Sequence, residues 1–475
     1  MAVSLFMGRA EYTYDMNIDQ SIFKAYDIRG VYPNQIDENI AYALGRAYAT
    51  FILQAWTEER MPLIAVGSDM RTSSPSLKAE IVRGLRESGV HVVTIGLAST
   101  PTFYFAVARY GYDGGLQISA SHNPKEYNGL KIVRAGGVPV SKDTGIFAIR
   151  DIVVSESFTA KAAALGDLSQ VEGVVSAEAI EQTADMDLEA IKPFRIVIDG
   201  SNGMGSVDMD ALFKHIPQCE LVKMNFELDG TFPAHGADPM QEKNTVSLRA
   251  KILETGASLG IAPDGDGDRI FFFDETGAVL PQAILRGMMA QIAIAEHPGA
   301  TVCYDIRPGR ITKDMIEAVG GTAVVTPVGH SLIKESMIKH GAVFGGESSG
   351  HYFYKLPYGT FEAPIVLAAK FLLHLSISGQ TLSELAAPYK IYANSGEINT
   401  IVPNREAVDA AIAMLQKRYA DGAQNELDGL TVEYPEWWFN VRGSNTEPLL
   451  RLTVEAIDAG IMAKKRDEIL SQING

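Results

Sequence analysis

Short apolar runs that break off into polar, glycine-bearing turns recur along this chain. Leu63–Gly67 leads into Ser68-Asp69-Met70-Arg71, Arg195–Ile198 into Asp199-Gly200-Ser201-Asn202, and Thr301–Tyr304 into Asp305-Ile306-Arg307. Runs of this length, bounded by turn residues, predict buried strands. After the first, Leu77, Ile81 and Leu85 repeat at helical spacing. Ser74 is placed to cap that helix, Pro75 suits its first turn and Gly89 stops it. Each unit then reaches a second strand ending in a glycine- or serine-rich turn, at Ser119–Pro124, Pro263–Asp268 and Gly345–Gly350. The strand-end aspartates Asp69, Asp199 and Asp305 lie roughly a hundred residues or more apart, a domain-sized period and not a solenoid period. Such alternation predicts mixed or parallel sheets covered by helices, with ligands at the loops beyond the strand carboxyl ends.

Past residue 389 the rhythm breaks. Asn404 is placed to cap a helix carrying Val408, Ile412, Leu415 and Tyr419 on one face, stopped near Gly422. Strand-like runs follow at Leu430–Tyr434, Trp437–Val441 and Leu449–Glu455, and a last helix is predicted near Met462–Ile473. The pattern predicts an α/β protein: three similar α/β domains with mixed sheets at residues 1–165, 166–278 and 279–389, and a smaller C-terminal α+β domain at 390–475. The segment Glu156–Asp187 carries no motif, and no stretch is of low complexity.

Length agrees, since 475 residues exceed what one core ordinarily serves. Hydrophobic content of 46% and charged content of 21% are those of a soluble globular protein. The most apolar stretch, Ala363–Leu375, is short for a membrane span and contains Lys370. Arg9, Glu11, Asp15 and Asp19 interrupt what a signal-peptide core would need. Cys219 and Cys303 are far apart and lack metal-ligand spacing, which predicts buried thiols in a reducing cytoplasm. A net charge of −17 argues against a nucleic-acid partner or an anionic membrane. A phosphate ligand would have to be drawn by a local group of Arg, Lys and His.

The strongest chemical signal is Asp264-Gly265-Asp266-Gly267-Asp268, three carboxylates from one turn between apolar strands. Two such charges at about 4 Å repel by roughly 4 kcal/mol at an effective dielectric near 20. The turn calls for a hard cation with oxygen ligands, Mg²⁺ or Ca²⁺. A calcium EF-hand loop would need glycine where Arg269 stands, and helices on both sides where Ile270-Phe271-Phe272-Phe273 reads as strand. Arg269 is placed to face an anion on the cation. In Ser119–Pro124 a hydroxyl adjoins an imidazole, but neighbours in a loop rarely make a nucleophile–base pair and the Gly-x-Ser-x-Gly elbow is absent. A plain Ser/Asn turn remains open there. Lys131, ten residues on from Ser121, can return its ammonium toward that serine. Gly345–His351 offers a carboxylate and hydroxyls suited to vicinal sugar hydroxyls, and Arg442–Pro448 is a plausible phosphate cradle or else a hydrophilic hairpin. Phe23–Gly30 by itself reads as no more than an N-terminal turn, and His330 as an ordinary histidine.

Together these loops resemble the α-D-phosphohexomutase superfamily over nearly the whole chain. The matches come in that family's order: Tyr-Asp-Ile-Arg-Gly at 26–30, Ser-His-Asn-Pro at 121–124, Asp-Gly-Asp-Gly-Asp-Arg at 264–269, Gly-Glu-x-Ser-Gly-His at 346–351 and Arg-x-Ser-x-Thr at 442–446. Asp229–Pro233, Asp238-Pro239 and Ser444–Leu452 make it most similar to the bacterial phosphomannomutase/phosphoglucomutase branch. Ser348 stands where that branch usually has Met and phosphoglucosamine mutases usually have Gln; Arg307 stands where some members carry Lys.

The resemblance implies four domains around a central cleft and a reversible shift of phosphate between C1 and C6 of a hexose, mannose and/or glucose. It implies that Ser121 carries a phosphoryl group, with one Mg²⁺ per chain on Asp264, Asp266, Asp268 and Ser121, and a hexose 1,6-bisphosphate as intermediate and activator. His122, Lys131, Arg29, Arg269 and His330 join Ser121 as its catalytic set. Glu347 and Ser349 are implied to grip sugar hydroxyls, with Tyr26, Arg307 and His351 beside them. Arg442, Ser444, Asn445, Thr446 and Arg451 are implied to hold the phosphate that is not being transferred. The expected partners are small sugar phosphates, with no nucleic acid and no membrane, acting on a monomer or homodimer. Ser348 leaves glucosamine phosphate open as substrate. A metal-dependent sugar phosphatase and a non-catalytic binding protein are the alternatives of other classes.

Overall fold

The computed structural model describes residues 18–307, 309–444 and 449–474. One arrangement is built three times. Leading strands Leu63–Ser68, Arg195–Asp199 and Thr301–Asp305 are each flanked by two parallel neighbours. On one side runs His91–Leu97, Glu220–Met224 or Thr322–Thr326; on the other, Gly114–Ile118, Leu259–Pro263 or Phe344–Gly346. From the latter the chain turns back into an antiparallel return strand, Tyr127–Arg134, Ile270–Asp274 or Tyr352–Leu356. Helices make the parallel crossovers, as the geometry of parallel pairing demands: Ser74–Glu87 and Thr100–Arg109, Gly205–Phe213 and Val246–Thr255, Arg310–Ala318 and His330–His340. The sheets are mixed, as expected. In each copy the turn into the return strand falls on one of the three glycine- or serine-rich loops.

The leading strands are buried on both faces after their first residue, which explains runs that are continuously apolar instead of alternating. Ile64, Val66, Ile196, Ile198 and Val302 are all shielded from solvent, each side chain contributing about 1.5–3 kcal/mol of burial. The first sheet gains an edge from Ile28–Val31, antiparallel to Tyr127–Arg134 with Arg29 opposite Gly129. Residues expected to form a mere turn are thus partly a strand, and that pairing brings Arg29 to the serine loop. The fourth domain is an antiparallel sheet whose strands Leu430–Glu433, Trp437–Gly443 and Leu449–Ala456 lie side by side. Helix Arg405–Arg418 packs Val408 and Leu415 on it, capped by Asn404 accepting from Ala407 N at 3.0 Å.

Several local expectations are corrected. Ser73, not Ser74, holds the N-cap position of Ser74–Glu87, because the Ser74 hydroxyl is bound to Asp69 Oδ1 at 2.6 Å. The last helix begins at Ala459, a turn earlier than its apolar spacing implied. Cys303 is buried but Cys219 only partly so. The motif-free segment contains helix Val174–Thr183, whose buried Glu178 accepts from Thr102 Oγ1 at 2.5 Å; burial pushes its carboxyl up to about 7. No single helix among the described residues is long and apolar enough to cross a membrane. Pro364–Ser378 is apolar because it lies in the core.

Candidate active site

The serine loop leaves the end of Gly114–Ile118 and bends sharply at Ser121, a non-glycine residue at φ 51°. The bend buries the hydroxyl and aims it at two partners. Ser121 Oγ lies 3.1 Å from Asp264 Oδ2 and 3.1 Å from His122 Nδ1. Sequence reasoning discounted a contact between adjacent Ser and His; the left-handed backbone folds the two together.

The loop is held from beneath by a residue that reasoning missed. Arg71 is buried, and its guanidinium donates to the carbonyl oxygens of Ser121 at 2.8 Å, Asn123 at 2.6 Å, Pro124 at 2.8 Å and Tyr127 at 3.0 Å. Its Nε faces Asp69 Oδ2 at 3.2 Å, and its plane stacks over Phe232 from the second domain. The strand-end Asp69-x-Arg71 was visible in the sequence, but its target loop lies fifty residues away.

The acidic turn meets the serine loop backbone to backbone. A Cβ on Gly265 would stand 2.6 Å from the Ser121 carbonyl oxygen, and Gly267 has φ 79°, so both glycines are required by shape. Asp264, Asp266 and Asp268 are fully buried, with carboxylate oxygens all within 4.8 Å of one another. Burial first, and then the charges of Asp268 and Asp266, pushes the Asp264 carboxyl well above the usual range. Thr100 Oγ1 donates to Asp266 Oδ2 at 2.6 Å, but Asp266 Oδ1 and Asp268 Oδ1 are buried without a hydrogen-bond partner. Orphaned anionic oxygens around one point, all hard donors, fit a Mg²⁺-type cation.

Lys131 sits on the return strand opposite Gln117. Its ammonium pairs with Asp266 at 2.7 Å and also with Asp268, so it serves the acidic turn first and not the serine directly. Burial opposes its charge, but these two carboxylates prevail and hold its pKa well above normal.

Ser121, His122, Lys131, Arg29, Tyr26, Arg269, His330 and His351 line one cavity of about 500 Å³. Three different domains contribute them. Arg29 pairs with Asp27 and donates to Asn123 Oδ1. Arg269 Nε donates to His351 Nε2 at 3.1 Å, and His351 stacks on His330 with ring centroids 5.7 Å apart. Tyr26 meets His330 edge-on. His330 shows part of its ring to the cavity, yet burial and then Lys334 hold it well below the usual imidazole range; burial and then Arg269 do so for His351. Both are neutral near pH 7. Behind them Glu362 pairs with Lys334 at 2.9 Å and faces the Nδ1 atoms of both histidines at 3.7 Å, a buried charge pair that no local motif announces.

On the third domain Arg307 joins Asp305 at 2.7 Å to Glu347 at 2.9 Å. Its charge is opposed by burial but reinforced by both carboxylates, and its pKa is raised. Ser348 turns inward, its Oγ lying 2.8 Å from the Arg307 carbonyl oxygen and 2.9 Å from Asp305 Oδ1. Ser349 is buried beside Glu347. In the fourth domain Arg442 and Arg451 share Glu397, at 2.6 and 3.2 Å. Ser444 is buried at the same strand end. Asn445 and Thr446 lie outside the described residues.

Four family profiles account for this architecture in order. Those for phosphoglucomutase/phosphomannomutase alpha/beta/alpha domains I, II and III match residues 20–160, 176–277 and 282–392, and that for the C-terminal domain matches 397–472. The chain belongs to the phosphoglucomutase/phosphomannomutase family. Its relatives include a protein named phosphohexose mutases from Xanthomonas campestris pv. campestris, 37% identical over 95% of this chain and 99% of that one. A phosphomannomutase/phosphoglucomutase from Pseudomonas syringae pv. tomato is 35% identical over 92% of each. A crystal structure of a phosphoglucomutase/phosphomannomutase family protein from Burkholderia thailandensis matches with a TM-score of 0.85 at 31% identity, covering 96% of this chain and 97% of that one. The resemblance drawn from five loops is borne out along the whole family framework. So are an enzyme of this family, the four-domain fold, and an acidic triad able to take a metal.

Proposed function

We propose that this chain interconverts hexose 1-phosphates and hexose 6-phosphates, of mannose and/or glucose, through a phosphoserine at Ser121. The observation that carries the reading is the buried Ser121 hydroxyl, 3.1 Å from Asp264 of the acidic triad, in one cavity with Lys131, Arg269 and His330.

Phosphorylated Ser121 gives its phosphoryl group to the free hydroxyl of the bound hexose monophosphate: the Ser Oγ–P bond breaks, the sugar O–P bond forms, and one proton moves, in net, from the sugar hydroxyl to Ser121 Oγ. The product is a hexose 1,6-bisphosphate. It turns over in the cleft and returns its other phosphoryl group to Ser121, releasing the isomeric monophosphate. Such transfers depend on positioning and on charge around the moving group. Asp264, Asp266, Asp268 and Ser121 would hold a Mg²⁺, which would supply Lewis-acid stabilisation of that charge. Lys131 and Arg269 add fixed positive charge. Neutral His330 is suited to take the hydroxyl proton, whereas Arg29 orients through Asp27 and Asn123. His122 holds the Ser121 hydroxyl oxygen at hydrogen-bond distance between phosphorylations. Glu347, Ser349, Tyr26, Arg307 and His351 bind the sugar. Arg442, Ser444 and Arg451, with Asn445 and Thr446, grip the distal phosphate. The fourth domain closes over the bisphosphate and keeps water out. The reading includes a soluble, cytoplasmic enzyme acting on small molecules.

The test is ³¹P NMR of the protein with Mg²⁺ and a trace of hexose bisphosphate, given glucose, mannose or glucosamine 1-phosphate separately. Conversion to the 6-phosphate by wild type, and none by Ser121→Ala, is expected for glucose or mannose. Release of inorganic phosphate instead would mean a phosphatase. Preference for glucosamine phosphate would move the substrate.

A further inference from the structure

A second cavity of about 400 Å³ adjoins the sugar loop, with Arg307 and Ser348 on one wall and Glu397 and Glu455 on the other. Glu397 stands just before strand Ile398–Ile401, beside Leu449–Ala456. On the next two strands Arg442 and Arg451 are direct cross-strand partners. Like charges facing each other across an antiparallel pair repel, so this pair calls for an anion. Glu397 meets that demand: Oε2 accepts from Arg442 Nη2 at 2.6 Å and Oε1 from Arg451 Nη1 at 3.2 Å. One carboxylate bridges two guanidiniums as two oxygens of a phosphate do. The Arg442 side chain is only 6% exposed, whereas that of Glu397 is 28% exposed and faces open space along the cavity. Arg442 is the buried, fixed member, whereas Arg451 at 27% exposure stands at the surface beside Glu397, the anion that a ligand can displace.

We propose that Glu397 is a resident anion that occupies the phosphate grip until a phosphate displaces it, and so sets which anions bind. This rests on the reading of Arg442 and Arg451 as that grip. A dianionic phosphoryl group outcompetes one carboxylate for two guanidiniums; chloride, acetate or an unphosphorylated sugar does not. Glu397 is therefore a specificity-determining residue that lowers affinity for every anion and leaves only phosphate above the threshold.

The experiment titrates glucose 6-phosphate, inorganic phosphate and acetate into wild type, Glu397→Gln, Glu397→Ala and Arg442→Ala at fixed ionic strength. Binding is read by calorimetry and by the fluorescence of Trp437 and Trp438, on the same strand as Arg442. Both Glu397 variants are expected to bind glucose 6-phosphate and phosphate about three- to ten-fold more tightly, and to gain measurable acetate binding. KM falls while kcat does not rise. A residue that merely orients the arginines gives the opposite sign: weaker binding and higher KM in both variants. That result, or unchanged affinity, overturns the proposal while Arg442→Ala still loses binding. If Arg442→Ala binds as wild type does, the grip itself is wrong and the proposal falls with it.

Discussion

The serine loop and the acidic turn stand at the same place in successive copies of one sheet, yet they are supported in opposite ways. In the first copy the strand-end Asp69 fixes Arg71, and Arg71 grips three carbonyl oxygens of the serine loop directly and a fourth, that of Tyr127, at the start of the return strand. In the second, the strand-end Asp199 binds Asn225 at 2.8 Å and His235 at 2.9 Å. Support then reaches the acidic turn through backbone bonds, Gly265 N to the Ala237 carbonyl at 3.1 Å and Met204 N to the Gly265 carbonyl at 2.8 Å. The third copy again uses arginines, with Arg286 and Arg307 both on Asp305. A repeated strand end thus supplies a buried carboxylate each time, and the neighbouring element decides its use. The serine loop has no metal-binding charges of its own and needs an external frame. The acidic turn carries its function in its own side chains and takes its order from the cations it gathers.

This contrast can be broken at its strongest point. Asp264→Asn should lower kcat about a thousandfold or more, since the turn has no substitute for the lost charge. Its metal-free melting temperature should not fall, because one of three mutually repelling buried carboxylates is gone. Activity surviving either this change or chelation would remove the metal from the reading. The next effect is on the frame. Arg71→Ala removes the cation beside buried Asp69 and one donor from each of four carbonyls, and should cost about 3–5 kcal/mol in urea unfolding. Arg71→Lys should fold but lose about ten- to a hundred-fold in kcat with KM little changed, because an ammonium cannot span four acceptors. Wild-type kcat in the lysine variant would show that the frame does not position the serine.

The smallest effect belongs to His235. Its hydrogen bond to Asp199, opposed by partial burial, raises its pKa above the usual imidazole value. A raised folded-state pKa stabilises the protein fully below the unfolded value near 6.5 and ceases to do so as pH rises through the folded value. His235→Gln should therefore cost about 1 kcal/mol at pH 6 and little at pH 9, with kcat shifted by less than about threefold. Equal losses at both pH values would mean that packing, not charge, supports the turn.

Much of this was legible beforehand. Asp264, Asp266 and Asp268 declare themselves because three carboxylates in five residues have no cheap structural use. Leu63–Gly67 and its counterparts declare themselves because strands buried on both faces must be continuously apolar. Arg71 and Glu362 did not, because a buried charge is explained only by partners elsewhere in the chain. Glu397 looked like one acid among 58 until two arginines appeared beside it.

Residue order alone carried the thrice-repeated strand-and-turn rhythm, the candidate loops and an acidic turn able to take a metal. These follow from residue type and spacing within a few positions. Tertiary packing set Ser121 against Asp264, Lys131 against Asp266 and Asp268, and Glu397 across Arg442 and Arg451. Each of those pairings joins elements that meet only when sheets and return strands dock. Electrostatic energy in a buried site depends on distance and desolvation, and the order of residues along a chain carries neither.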